Sequence, residues 1–231
     1  MVWRESAKER AAVEAVKLVK DGFVLGIGAG STVAYALREI ARRIREEHIN
    51  VLVISASSQT SQLARQYGIP LTSLEEHLHL DLDIDGADQI DKELNLIKGM
   101  GGALTREKIV ASVSKTFVVV GDESKLTNTL GKNQPLPIEV LPFSLPFVMS
   151  EIKKIGGQPV LKKSSSGDSP FITDNGNYVL NVDFGVIKNP WQLNRKLKSL
   201  PGVVETGLFL GMADMAIVGT ERGIKILRKN Q

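Results

Sequence analysis

Short apolar segments alternate with amphipathic segments along the first part of the chain. Apolar runs at residues 23–27, 51–55, 78–85 and 116–120 have the length of strands, and the third alternates strictly between apolar and polar residues. Segments with helical spacing of apolar residues separate these runs. Strands that alternate with helices in this way predict an α/β fold with a parallel sheet covered by helices.

The helices of this region are predicted from caps and periodicity. Ser6 and Glu9 have the spacing of a capping box, so we expect the first helix to begin there and to end at Asp21-Gly22. The other predicted helices cover residues 33–44, 58–67 and 105–113.

The pattern changes after Gly131. The predicted order becomes β-α-β-β-α-β, that of a ferredoxin-like unit. Its sharpest signals are Asn175-Gly176, typical of a hairpin turn, and Asn189-Pro190, typical of a helix start. The predicted strands are residues 138–141, 159–163, 178–184 and 203–209, and the predicted helices are residues 147–155 and a segment from 190.

Two further strands, at residues 215–218 and 224–227, are predicted to return to the first sheet. The chain is therefore predicted to fold as an α/β domain interrupted near its C-terminal end by a smaller α+β domain. The predicted bounds are residues 1–131 plus 210–231 for the first domain and 132–209 for the insert.

The amino-acid composition excludes several classes of functional site and disfavours others. The chain has 231 residues, 42% of them hydrophobic, which is enough for a sizeable core. It has no cysteine, so a disulfide framework, a cysteine-ligated metal and a thiol nucleophile are excluded. Because no apolar run approaches a membrane span and no signal peptide is recognised, we expect a cytoplasmic protein without membrane contact. The net charge is only +3 and the densest charge cluster is acidic, which disfavours nucleic acid as a partner.

Four polar, glycine-containing segments follow predicted strands. They are residues 26–32, 85–88, 98–108 and 121–125. The carboxyl ends of parallel strands meet at one edge of a sheet, where ligands bind, so we expect the four segments to converge.

Each segment also has a simpler explanation. The first is a glycine-rich loop before a helix, and is either an anion site or a tight turn with Ser31 as helix cap. It matches neither the dinucleotide fingerprint nor a Walker A loop. Asp85 and Asp88 suit a cleft or an ordinary turn. Residues 98–108 suit ligand contact or a flexible loop followed by a solvated Thr-Arg-Glu-Lys face. Residues 121–125 suit ligand contact or a surface turn. A metal site on His79, Asp81, Asp83 and Asp85 is disfavoured, because such strand neighbours lie roughly 6.8 Å apart.

Together the segments resemble ribose-5-phosphate isomerase, type A, in order and spacing. The most specific match is residues 104–109 after the loop that begins at Lys98-Gly99. Residues 136–140, 173–177 and 201–204 also look like that family, so the resemblance covers nearly the whole chain. It implies a Rossmann-like domain with a ferredoxin-like insert.

The resemblance also implies an activity and its residues. The family interconverts D-ribose 5-phosphate and D-ribulose 5-phosphate in the non-oxidative pentose phosphate pathway, without metal or organic cofactor. Its general base corresponds to Glu107, its enediolate-stabilising lysine to Lys98, and its paired carboxylates to Asp85 and Asp88, one of which would assist ring opening. The implied substrate contacts are Ala29, Gly30, Ser31, Thr32, Asp85, Gly86, Ala87, Asp88, Lys98, Gly99, Met100, Gly101 and Lys125.

The chemistry suits these residue types. Isomerisation moves a proton between C1 and C2 through a cis-enediol, which one buried carboxylate can do, while an ammonium stabilises the developing oxyanion. Which loop holds the phosphate stays open. Ala29 stands where the family usually has threonine, and the loss of one neutral hydrogen bond costs about 0.5–1.5 kcal/mol.

Two other functions compete with this interpretation. The sugar-phosphate-sensing domain of a transcriptional regulator would bind without turnover, but few residues precede the first predicted strand, so we do not expect the helix-turn-helix that normally accompanies such a domain. An aminosugar-phosphate deaminase would need a catalytic histidine, and His48, His77 and His79 lie outside the four segments. The resemblance further suggests a homodimer or homotetramer, for which residues 208–210 would be an exposed apolar contact.

Overall fold

The computed structural model describes residues 2–229, which form six α-helices and thirteen strands. The helices are α1 (Val2–Val16), α2 (Ser31–Glu47), α3 (Ser58–Gln66), α4 (Leu104–Ser112), α5 (Leu145–Lys154) and α6 (Pro190–Lys198). The strands are β1 (Val24–Ile27), β2 (Leu52–Ser55), β3 (Leu82–Gly86), β4 (Gln89–Ile90), β5 (Leu96–Ile97), β6 (Phe117–Asp122), β7 (Leu136–Val140), β8 (Gln158–Leu161), β9 (Tyr178–Asp183), β10 (Val203–Thr206), β11 (Leu208–Phe209), β12 (Met215–Gly219) and β13 (Ile224–Arg228).

The largest sheet has six strands in the order β13-β12-β6-β3-β1-β2. All neighbours are parallel except β13, which is antiparallel to β12. Successive residues of its strands face opposite sides. Val118 and Val120 lie in the core that α1 and α2 share, whereas Phe117 and Val119 lie in a second core. The helix-covered parallel sheet predicted from the sequence is confirmed.

The second sheet is antiparallel, with the order β10-β7-β9-β8. With α5 and α6 it follows the chain order β-α-β-β-α-β, so the ferredoxin-like prediction is also confirmed. Asn189 caps α6 by accepting a hydrogen bond from the amide of Gln192, and the residues around Gly176 form the predicted turn. The domain bounds drawn from the sequence stay a prediction.

For two elements the predicted first residue was wrong. The first helix begins at Val2 rather than at a Ser6 cap, so Ser6 lies inside α1 and its hydroxyl accepts a hydrogen bond from Arg10. The alternating run 78–85 is a strand only from Leu82. Before it Leu78 is exposed and Leu80 makes a single bridge to Ser114, because no neighbouring strand extends alongside this part of the chain.

The predicted strand 203–209 is two strands in two sheets. They separate at Gly207, where a Cβ atom would lie 2.2 Å from the Lys98 carbonyl oxygen. β11 joins β5 and β4 in a small third sheet that was not predicted. The expected exposed contact at 208–210 is wrong, because Phe209 is fully buried and its ring lies 6.5 Å from that of Phe117. No helix among the described residues is long and apolar enough to span a membrane.

Candidate active site

A cavity of about 250 Å³ opens at the carboxyl edge of the large sheet, where the four predicted segments converge. Every residue implied by the resemblance lines it except Asp85, which lies fully buried beside it. The predicted lining residues are Ala29, Gly30, Ser31, Thr32, Gly86, Ala87, Asp88, Lys98, Gly99, Met100, Gly101, Glu107 and Lys125. The residues that were not predicted are Lys8, Ser57, Gln59 and Ala103.

Lys98 is the central cation of the cavity and is only 2% exposed. Its Nζ lies 2.7 Å from Asp85 Oδ2 and 3.2 Å from Glu107 Oε2, and it donates a 2.7 Å hydrogen bond to the Gly86 carbonyl oxygen. Burial by itself lowers the pKa of Lys98, but the charges of Asp85 and Glu107 outweigh it and raise that pKa above its ordinary value. The ammonium therefore keeps its charge.

Glu107 lies in the first turns of α4, which packs against β1 and β3. The side chain is buried, and burial, followed by the charge of Asp85, raises its pKa from 4.5 to about 8 although Lys98 opposes the change. A carboxylate with a pKa near the working pH is an effective general base, because it both accepts and returns a proton readily.

Asp85 is held by the backbone around it. Its Oδ1 accepts hydrogen bonds from the amides of Ala29 at 3.2 Å and Gly86 at 2.6 Å. A Cβ atom on Gly28 would lie 1.8 Å from this same oxygen, so only glycine fits there. Gly28 of the glycine-rich loop therefore leaves the space that the Asp85 side chain occupies. Burial raises the pKa of Asp85, and Lys98 opposes that increase.

Asp88 differs from Asp85 because it is only half-buried and faces the cavity. Its Oδ2 accepts a 3.1 Å hydrogen bond from the amide of Met100, and this contact joins two of the predicted segments. Asp88 is thus the more accessible of the two predicted carboxylates.

Asp83 is a third buried carboxyl near Lys98, and its sequence context suggested only the disfavoured metal site. It is 1% exposed, and neither of its oxygens has a hydrogen-bond partner among residues 2–229. Burial, reinforced by the charge of Asp85, raises the pKa of Asp83 well above its ordinary value, which favours its neutral form. His79 is exposed, and within the described part of the chain no group of His, Asp and Glu residues could hold a metal ion.

The cavity also has a cationic end formed by the start of α2. Ser31 is the first residue of this helix, and Gly30, not Ser31, occupies the cap position without a side-chain hydrogen bond, so the alternative of a turn capped by Ser31 is wrong. Lys8 from α1 lies 3.3 Å from the Ser31 hydroxyl, and Lys125 reaches the same cavity from the end of β6. Free amides at a helix start and two ammonium groups suit a phosphate.

The Thr-Arg-Glu-Lys segment of α4 is not a solvated face. Glu107 is buried, and Thr105 donates a hydrogen bond to Glu139 of β7. Lys108 donates hydrogen bonds to the carbonyl oxygens of Thr206 and Leu208 at 2.6 and 2.9 Å. Both faces of this turn are therefore fixed by the rest of the protein.

A Rossmann-like sheet with a buried carboxylate–ammonium pair and a cationic pocket at its carboxyl edge defines an enzyme of acid–base chemistry on an anionic ligand. Comparison with known proteins agrees. The family model for ribose 5-phosphate isomerase A (phosphoriboisomerase A) matches residues 52–223, so the chain belongs to that family. The resemblance seen in the sequence is thus confirmed.

Close relatives cover almost the whole chain. Ribose-5-phosphate isomerase A of Methanosarcina acetivorans is 48% identical over 98% of this chain and 97% of its own length. The structure of ribose 5-phosphate isomerase A from Methanocaldococcus jannaschii has a TM-score of 0.93 at 44% identity and covers 97% and 99% of the two chains. A D-ribose-5-phosphate isomerase in complex with phospho-erythronic acid has a TM-score of 0.95 at 38% identity, with the same coverage.

Proposed function

We propose that this protein interconverts D-ribose 5-phosphate and D-ribulose 5-phosphate, with Glu107 as the base that moves the proton. The observation that carries this proposal is the buried pair of Glu107 and Lys98, 3.2 Å apart, in a cavity that also holds two further lysines. The names of the relatives support the reaction, and they favour an isomerase over a regulatory sensor domain.

Glu107 removes the proton from C2 of the aldose and returns it to C1, while the hydroxyl proton of O2 passes to O1, so that the carbonyl group moves from C1 to C2 and the ketose is formed. The carboxylate is neutralised in the enediolate intermediate and regenerated when C1 is protonated, so no co-reactant is consumed. Its pKa of about 8 supports this role, because the ordinary value of 4.5 would make it a much weaker base.

Lys98 stabilises the oxyanion that develops on the substrate. Asp85 and the Gly86 carbonyl oxygen fix its ammonium group, so the charge is already oriented before the reaction begins. We assign Asp85 to this positioning role because it is fully buried. Asp88 faces the cavity and is the better candidate for proton transfer during ring opening.

The phosphate binds at the start of α2, between Lys8 and Lys125. Phosphate monoesters carry roughly −1.5 to −2 charges near neutral pH, which two ammonium groups and the free amides beside Ser31 and Thr32 can balance. A relative in complex with phospho-erythronic acid supports a phosphorylated ligand of this size. A homodimeric or homotetrameric assembly and a cytoplasmic location stay predictions from the sequence.

The decisive experiment is a coupled assay of ribose 5-phosphate isomerisation with the wild type and Glu107→Gln. General-base catalysis contributes about 100-fold or more, so the variant should lose at least that factor in kcat while its circular dichroism spectrum is unchanged. Glu123→Gln is the matched control, because this exposed carboxylate lies near the same sheet edge outside the cavity. Near-normal turnover by Glu107→Gln would remove the base assignment, and a wild type that binds the sugar phosphate without turnover would support the sensor alternative.

A further inference from the structure

Glu139 is a fully buried carboxylate that the proposed reaction does not use. It lies on β7 of the smaller sheet, within the segment 136–140 that resembled the family. Its Oε1 accepts hydrogen bonds from Thr173 Oγ1 at 2.9 Å, Asn175 Nδ2 at 3.1 Å and Asn177 Nδ2 at 2.8 Å. A buried carboxylate with this many donors is well compensated for the loss of water.

The other oxygen of Glu139 reaches out of the smaller sheet. Its Oε2 accepts a hydrogen bond from the hydroxyl of Thr105, the second residue of α4. Thr105 comes two residues before Glu107, so the contact fixes the turn of helix that carries the proposed base. Ala103, which precedes this helix, provides no side-chain cap, so the start of α4 depends on contacts from elsewhere.

The loop that donates to Glu139 holds the same helix start a second time. Arg106 donates hydrogen bonds of 2.8 Å to Asn175 Oδ1 and to the Asp174 carbonyl oxygen. Asp174 Oδ2 also accepts a 2.7 Å hydrogen bond from the amide of Ser58, at the start of α3 beside the cavity. Glu139 is therefore the buried centre of a network that joins the smaller sheet to two helix starts at the cavity.

We propose that Glu139 is a positioning residue of the isomerase, which through Thr105 holds Glu107 at the depth and the distance from Lys98 that proton transfer needs. The inference rests on the proposed role of Glu107. It assigns to the smaller domain a part in catalysis, although none of that domain's residues lines the cavity. A helix start that moved by about 1 Å would cost a large factor in rate, since proton transfer depends steeply on geometry.

The test separates positioning from simple stabilisation of the smaller sheet. Thr105→Val removes the hydroxyl but keeps the side-chain shape, and it leaves Glu139 its three donors on Oε1. We expect kcat to fall at least about tenfold with KM within about twofold. We also expect the acidic limb of kcat/KM to move down by about half a pH unit or more, because water that reaches Glu107 lowers its pKa.

Ser112→Ala is the matched control, because this hydroxyl bonds the Lys108 carbonyl oxygen at the far end of the same helix. Ser112→Ala should change neither kcat nor the acidic limb of kcat/KM. Glu139→Gln and the double variant with Thr105→Val complete a double-mutant cycle, in which the combined loss should not exceed the larger single loss, since Thr105 acts through its bond to Glu139.

Two outcomes would contradict the positioning role of Glu139 and the base assignment of Glu107 separately. If Thr105→Val lowers the melting temperature but keeps kcat and the acidic limb, Glu139 is a structural residue and the inference is wrong. If Glu107→Gln, measured in parallel, keeps its turnover, the base assignment itself fails. Should Glu139→Gln not fold, Thr105→Val alone decides the question, because its change lies outside the Oε1 network.

Discussion

Replacement of Glu107 by glutamine should make the protein inactive and, at alkaline pH, more stable. A carboxyl whose pKa is higher in the folded than in the unfolded state makes its full contribution to the free energy of unfolding only at a pH where it is protonated in both states. Its contribution is fully present below the unfolded value of 4.5 and is lost as the pH rises through about 8. Glutamine does not titrate, so the variant escapes that loss.

The size of the effect follows from the two pKa values. The interval from 4.5 to about 8 corresponds to up to about 5 kcal/mol, at about 1.36 kcal/mol for each pH unit. For a chain of this length, about 1 kcal/mol changes the melting temperature by roughly 2–4 °C. We therefore expect Glu107→Gln to melt on the order of 10 °C above the wild type at pH 8.5, and close to it at pH 5.

The assay is thermal unfolding of both proteins at the two pH values. Asp21→Asn is the control, because hydrogen bonds from Asn50 lower the pKa of Asp21, so its contribution is fully present above the ordinary value of 3.8. Its effect on the melting temperature should be the same at pH 5 and pH 8.5. An equal effect of Glu107→Gln at both values, or a variant that is less stable than the wild type at pH 8.5, would refute the argument that burial keeps Glu107 protonated.

Three further outcomes are expected. The kcat/KM of the wild type should fall about tenfold for each pH unit below an acidic limb near 8, and a limb near 4.5 in a pH titration of the rate would contradict the burial of the base. Gly28→Ala should lose most turnover, because its methyl group would displace Asp85, whereas Gly223→Ala, which has open space, should not. Lys8→Met and Lys125→Met should each raise KM by about tenfold or more with a smaller effect on kcat, and unchanged KM values in steady-state kinetics would remove the phosphate assignment.

The sequence predicted the site well where local signals mark it. Strands β1, β3 and β6 are parallel, and the carboxyl ends of parallel strands share one edge, so the convergence of residues 26–32, 85–88 and 121–125 could be predicted. Residues 98–108 instead follow β5, which is antiparallel to its neighbours in the small third sheet, so the same argument does not explain their place at the cavity. Ser57 could have been added from the same signal, because it follows β2 and caps α3 by accepting a hydrogen bond from Thr60. Lys8 could not, since the packing of α1 against α2, β6 and β12 brings it to the cavity.

Buried polar residues were the hardest to recognise. The alternating pattern of β3 is that of a half-exposed strand, which would place Asp83 and Asp85 on a solvent face. In the folded protein α4 covers that face, so both carboxyls are buried. Glu139 was not recognised either, because its hydrogen-bond donors lie some 35 residues away in sequence and contact it only in the folded protein.

Asp83, Asp85 and Glu107 are three buried carboxyls near Lys98, and their different contacts give them different roles. All three are buried, so each ionised group must be compensated by its partners. Asp85 has two backbone amides and the closer contact to Lys98, which favours its ionised form over that of the others. Asp83 has no hydrogen-bond partner within the described part of the chain and is best accommodated neutral. Glu107 lies between these extremes, because its ion pair with Lys98 at 3.2 Å compensates it partly, and this intermediate compensation is what allows it to exchange a proton near neutral pH.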